Sequence, residues 1–165
     1  MILGITGHQK LQDFEAWNWV TAVLQSILAE VASPLIGFSS LAIGADQLFA
    51  ELVLEHGGEL RVILPFATYE KTLNPGRDLE TYRTLLNRAA AIEILSECST
   101  KEESYLVAGQ RVVDLAERMV AVWNGKEAVG LGGTGDVVRY ALTSGKDVFH
   151  INPISREVRT ISGSQ

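Results

Sequence analysis

Short apolar runs alternate along the chain with longer stretches whose apolar residues recur every three or four positions, the pattern of a parallel sheet covered by helices on both faces. The first run, Ile2 to Thr6, predicts a strand. From Leu11 to Val31 the apolar positions Phe14, Trp17, Val20, Val23, Leu24, Ile27, Leu28 and Val31 share one helical face, which predicts a long amphipathic helix. Ser33-Pro34 ends it, because proline disfavours helical geometry in the residue before it, and Leu35 to Phe38 reads as a second strand. A helix over Ala45–His56 closed by Gly57-Gly58, and a strand over Arg61–Leu64 stopped by Pro65, follow. The polar stretch "FATYEKTLNPGRDLETY" is longer than an ordinary βα connection, and such loops tend to carry function. Beyond it the pattern predicts helices over Thr81–Ala90, Glu103–Glu117 and Thr134–Thr143, and strands over Ala91–Leu95, Met119–Trp123 and Asp147–Ile151. The fold class is therefore α/β, with one domain over residues 1–152 and a tail over 153–165.

Composition changes this picture little. The 165 residues suit a single core, and the 47% hydrophobic and 21% charged residues are those of a globular chain. A net charge of -6 argues against nucleic acid as partner, since that binding relies on Lys and Arg meeting phosphates. A small anion held by backbone N–H groups remains compatible with it. The lone cysteine, Cys98, excludes an internal disulfide and suits a reducing compartment. With no basic, apolar leader in "MILGITGH" and no apolar run of about 20 residues, the expectation is a cytoplasmic chain with no membrane segment.

Three glycine-bearing segments leave predicted strands at what becomes the C-terminal edge of the sheet, where open α/β folds bind ligands. In "GITGHQK", Gly7 permits close approach of backbone at a helix start, and Thr6 and His8 add side-chain hydrogen bonds. Its spacing is not G-x-G-x-x-G, so the dinucleotide fingerprint is absent. In "GFSSLAIGADQ", Ser39, Ser40, Gly44 and Asp46 lie between strand and helix, where hydroxyls and N–H groups meet phosphate or ribose oxygens; Asp46 also suits a first helical turn without any ligand. The third segment, "VGLGGTGDVVRYA", groups Gly130, Gly132, Gly133 and Gly135 with Thr134 and Asp136 before a helix. Each residue offers an N–H to an anion at the helix start, but the lysine of a G-x-x-x-x-G-K-[ST] loop is missing, so ATP hydrolysis of that type is not supported. Beyond these segments, Trp123 and Asn124 are placed to stack and bond a base, Tyr69, Lys71 and Arg77 stand in the long polar loop, and Arg111 lies early in its helix. No cluster suggests a metal.

With those segments in hand, the chain resembles the SMF/DprA–LOG superfamily, SLOG, from Gly4 to Ile151. "SSLAIGADQLFAELVLEHGGELRVILP" resembles the pattern S-G-x-A-x-G-x-D, helix, Gly-Gly, strand of DprA-like proteins. "GGTGD" resembles the G-G-x-G-T-x-x-E signature of LOG phosphoribohydrolases, and "GITGHQ" with "YLVAGQRVVDLAERMVAVWNGK" looks like YpsA-type stand-alone members. The resemblance implies a Rossmann-like three-layer αβα sandwich with a mostly parallel central sheet. It further implies a nucleotide or nucleotide derivative as ligand rather than a resident cofactor, with phosphate contact at Gly132, Gly133, Thr134 and Gly135. Ligand contact is implied at Gly7, Ser39, Ser40, Gly44 and Asp46, and a homo-oligomer is expected of the family. The LOG alignment puts Arg139 on the glutamate that cleaves the N-glycosidic bond, and a guanidinium cannot take a carboxylate's part. Asp136, one turn earlier, is the substitute catalytic candidate. The reading is thus a sensor or carrier of a phosphate-bearing ligand, with a LOG-type N-glycosidase and a molybdenum-cofactor carrier as alternatives.

Overall fold

The computed structural model describes residues 1–127 and 131–164. Gly130, the first glycine of the third segment, lies outside the described residues.

One seven-stranded sheet runs through the chain in the order β4-β3-β2-β1-β5-β6-β7. The strands are β1 (Ile2–Gly7), β2 (Ile36–Ser39), β3 (Glu59–Leu64), β4 (Ala91–Ile94), β5 (Arg118–Val122), β6 (Val148–Asn152) and β7 (Glu157–Ile161). All pairs are parallel except β6 with β7, so the fold is α/β with a mostly parallel sheet. The helices are α1 (Glu15–Glu30), α2 (Ala45–Glu55), α3 (Arg77–Arg88), α4 (Lys101–Leu115) and α5 (Thr134–Thr143). Leu3, Ile5, Val120 and Val122 point to the face covered by α1 and α2, against Val20, Leu24, Leu28, Phe49 and Val53. Met119, Ala121 and Val148 point to the other face, against Ala108, Val112 and Val113 of α4 and Val137, Val138 and Ala141 of α5. This is the alternation that a strand buried on both sides requires. Among the described residues no helix is long and apolar enough to cross a membrane.

Two expectations need correction. The first helix begins at Glu15, not Leu11, because the Asp13 carboxylate accepts the Glu15 N–H at 3.0 Å and ends the preceding turn. Phe14 consequently falls off the apolar stripe and stands 81% exposed. The segment read as a tail carries β7, which pairs with β6 from Val148↔Ile161 to Asn152↔Glu157. An isolated "EVRTI" has too few apolar residues to announce itself; a hairpin partner supplies its hydrogen bonds.

From β1 the chain steps outward through β2, β3 and β4, then returns to pair β5 on the opposite side of β1. The β1 and β5 ends therefore form the topological switch point, where the connections diverge and leave a crevice.

Candidate functional site

A cleft of about 600 Å³ opens at this switch point, within the range of small-molecule sites. The three glycine-bearing segments meet there. Thr6, Gly7 and His8 line it from the end of β1, Ser40 from the β2–α2 connection, Asp46 from the first turn of α2, and Gly132, Gly133, Thr134 and Gly135 from the start of α5. Ser39, Gly44 and Asp136 do not line it.

Each of those three has an internal task instead. Ser39 is fully buried; its hydroxyl donates to the Asp46 carbonyl at 3.1 Å and accepts the Leu41 N–H at 3.0 Å. Gly44, with φ 83°, holds the β2–α2 turn against the first loop, so that a Cβ there would lie 2.4 Å from the Gln9 carbonyl oxygen. Asp136 turns its carboxylate back to accept the Gly132 N–H at 3.0 Å and lies 3.7 Å from the Arg139 guanidinium. It shapes the glycine loop from behind. The positive φ of Gly132, 86°, lets this loop rest on the first turns of α4, with its missing Cβ only 2.7 Å from the Glu102 carbonyl oxygen.

The floor of the cleft is polar. Asp46 is buried, and loss of solvent pushes its carboxyl up to about 7 although it accepts the Ala42 and Ser40 N–H groups. His8 accepts the Asn124 N–H on Nε2 at 3.0 Å, which leaves any proton of the neutral ring on Nδ1. Burial holds its pKa below the ordinary histidine value, so the neutral form is favoured. Among the described residues Lys126 is the only lysine or arginine on the cleft wall, and an anion here relies on backbone N–H groups at the α5 start. Lys71, Arg77 and Arg111 stay outside; Arg111 is engaged by Glu93 at 2.9 Å.

Ser40 stands out. The residue lines the cleft, and its Oγ is buried and finds no hydrogen-bond partner among the described residues. An orphaned buried hydroxyl costs about 1–3 kcal/mol, a cost that a ligand oxygen or nitrogen removes. Ser40→Ala is accordingly expected to raise the stability of the ligand-free protein by about 1 kcal/mol in urea unfolding. A destabilised variant would show that the hydroxyl already has a partner.

Several wall residues were not legible as site residues. Tyr105 lies in α4 beside the core positions Ala108 and Val112, and its spacing reads as core. Thr72, Leu73, Asn74 and Asp78 come from the long polar loop and the start of α3, and Gly109 from α4. Only the length of the polar loop signalled any of them. Trp123 and Asn124, which the sequence offered for a base, do line the cleft; the Trp123 ring lies 5.1 Å from that of His150, and its Nε1 donates to the Lys126 carbonyl at 2.8 Å.

No family model and no curated protein matches the chain by sequence. Solved structures do. DNA processing protein A (DprA) from Streptococcus pneumoniae superposes with a TM-score of 0.62 at 18% identity, over 90% of this chain and 49% of that one. DprA from Helicobacter pylori, described with a single-stranded DNA binding mode, gives 0.65 at 14% identity, over 91% of this chain and 64% of that one. The molybdenum cofactor carrier protein from Chlamydomonas reinhardtii gives 0.56 at 16% identity, over 90% and 74%. The chain thus spans about half of the first of these proteins. At such identities the likeness is one of fold.

Proposed function

We propose, taking as premise a chain with the Rossmann-like fold of the SLOG superfamily, that it binds a nucleotide or nucleotide-derived phosphate ligand at the C-terminal edge of the sheet and acts as its sensor or carrier. The orphaned Ser40 Oγ carries this reading, because it is a buried polar atom on the cleft wall that a ligand would satisfy. The phosphate sits on the N–H groups of Gly133, Thr134 and Gly135 at the positive end of α5, the Gly132 N–H being taken by Asp136, and Ser40 takes a ribose or phosphate oxygen.

Mass spectrometry of protein purified under native conditions identifies what stays bound, and calorimetric titration with nucleoside monophosphates measures it. Ser40→Ala is expected to weaken the bound nucleotide about five- to tenfold, the worth of one hydrogen bond. Its two effects then have opposite signs, firmer folding and weaker binding, which a purely structural serine would not produce. Absence of any bound species together with no heat from any nucleotide would sink the proposal.

The geometry favours holding the ligand over cutting it. Asp136 uses its carboxylate on the Gly132 N–H, and Arg139 stands 61% exposed beside it. Incubation with nucleoside monophosphates is expected to release no free base, and Asp136→Ala to leave that result unchanged. Base release that disappears in Asp136→Ala would establish the LOG-type enzyme instead. A copurifying pterin would favour the molybdenum-cofactor carrier, the reading to which the carrier protein's similar fold lends weight. A salt-dependent shift of single-stranded DNA would replace the small ligand with nucleic acid.

A further inference from the structure

Four rings meet between β3, the polar loop, α3 and α4. Phe66, Tyr69 and Tyr82 are buried, at 5.9 Å between Phe66 and Tyr69 and 6.0 Å between Tyr69 and Tyr82. Tyr105 packs against two of them, 6.0 Å from Phe66 and 6.2 Å from Tyr69. It alone of the four is only partly buried, and it lines the cleft. The buried rings fix Tyr105 in place, so that stacking a second flat ring on it costs little side-chain entropy.

The surroundings of Tyr105 set what that flat ring carries. Gly132 lies against the Glu102 carbonyl and the Leu106 N–H, so the glycine loop rests on the turn of α4 that carries Tyr105. Asp46, close enough to raise the proton affinity of Tyr69, lines the same cleft together with Asn74 and Asp78. These carboxylates share the cleft wall with one described cation, Lys126, from the loop after β5. With Asp46 ionised, above pH 7, they attract N–H donors and offer little to a ligand edge made only of carbonyl oxygens.

From this arrangement we infer that Tyr105 is the stacking platform for a planar nitrogen heterocycle bearing an exocyclic amino group, with that amino group directed to the Asp46 and Asp78 side. The inference rests on the phosphate-binding reading of the glycine loop and adds the identity of the group attached to the phosphate. Trp123 is the other partly buried ring on the wall, but it follows β5 and has its ring N–H committed to the Lys126 carbonyl.

Calorimetric titrations with AMP, GMP, IMP and ribose 5-phosphate test it, since IMP is a purine nucleotide without the amino group. AMP or GMP is expected to bind at least about tenfold more tightly than IMP, from a donor meeting a buried acceptor. Tyr105→Leu is expected to bring that nucleotide down to the affinity of ribose 5-phosphate, and Tyr105→Phe, which keeps the ring, to restore it. Ribose 5-phosphate titrated into the same variants reports on the glycine loop separately. Equal affinities for AMP, GMP and IMP overturn the amino-group assignment. A preference that survives Tyr105→Leu, or that falls only in Trp123→Leu, overturns the platform. Ribose 5-phosphate binding as tightly as every nucleotide removes the heterocycle site while the phosphate reading stands, and no binding by any of the four removes both.

Discussion

Between pH 5 and pH 8 the wild-type protein is expected to lose roughly 2–3 kcal/mol of stability that Asp46→Asn retains. Asp46 carries a folded-state pKa pushed from an ordinary 3.8 up to about 7, chiefly by burial. The folded state therefore holds this proton more tightly than the unfolded chain does. Its contribution to stability is complete below pH 4 and is lost as the pH rises through 7. Asparagine keeps an acceptor for the Ala42 N–H and carries no charge at any of these values, so the difference between the two unfolding curves isolates one group from all other carboxylates. Urea titrations of both proteins across the range provide the measurement. Curves that stay parallel would mean that Asp46 is solvated and ionised in the cleft floor.

Gly44→Ala is expected to cost about 3 kcal/mol or more, the sum of two separate penalties. At φ 83° and ψ -123° the residue occupies backbone space that side-chain-bearing residues rarely adopt. The added Cβ would also lie 2.4 Å from the Gln9 carbonyl oxygen and 2.6 Å from that of His8, atoms of the main chain that cannot swing aside. The Ala45 N–H donates to the same His8 carbonyl at 3.1 Å, so relief of the clash breaks a bond between the two loops that line the cleft. Gly57 provides the comparison: its φ is 73° but nothing lies within 4 Å of its Cβ position, so Gly57→Ala is expected to cost only about 1 kcal/mol. Equal losses in the two variants would show that the steric contact contributes nothing.

Residue types and spacing carried the architecture well, because strands buried on both faces leave continuous apolar runs and amphipathic helices leave their stripe. The positions of Gly7, Ser40 and Gly132 to Gly135 at one sheet edge followed from counting strands and noting what came after each. Orientation was not legible in the same way. Whether Asp136 faces the cleft or the loop behind it depends on the path of Gly132, and that path depends on contact with Glu102, some thirty residues earlier. Gly7 has a related lesson. Its absent Cβ is replaced by Ala45 Cβ, which would lie 2.5 Å away, so packing against α2 demands the glycine whatever the ligand. Tyr105 escaped notice because one aromatic residue at helical spacing reads alike whether it seals a core or opens onto a cavity.

The pairing of β1 with β5 also governs when the cleft comes into existence during folding. The Ile2 N–H donates to the Glu117 carboxylate across 115 positions of chain, and the parallel register then runs from Leu3↔Arg118 to Gly7↔Val122. Closing a loop of that length precedes any reward from the contacts it brings, so such pairing is slow and comes late. The part of the chain from β1 to β4 can collapse with the Ala45 N–H already on the His8 carbonyl, yet the glycine loop arrives only with β5. A ligand that needs both halves has nothing to bind before that step; it will slow unfolding while leaving the rate of folding nearly untouched.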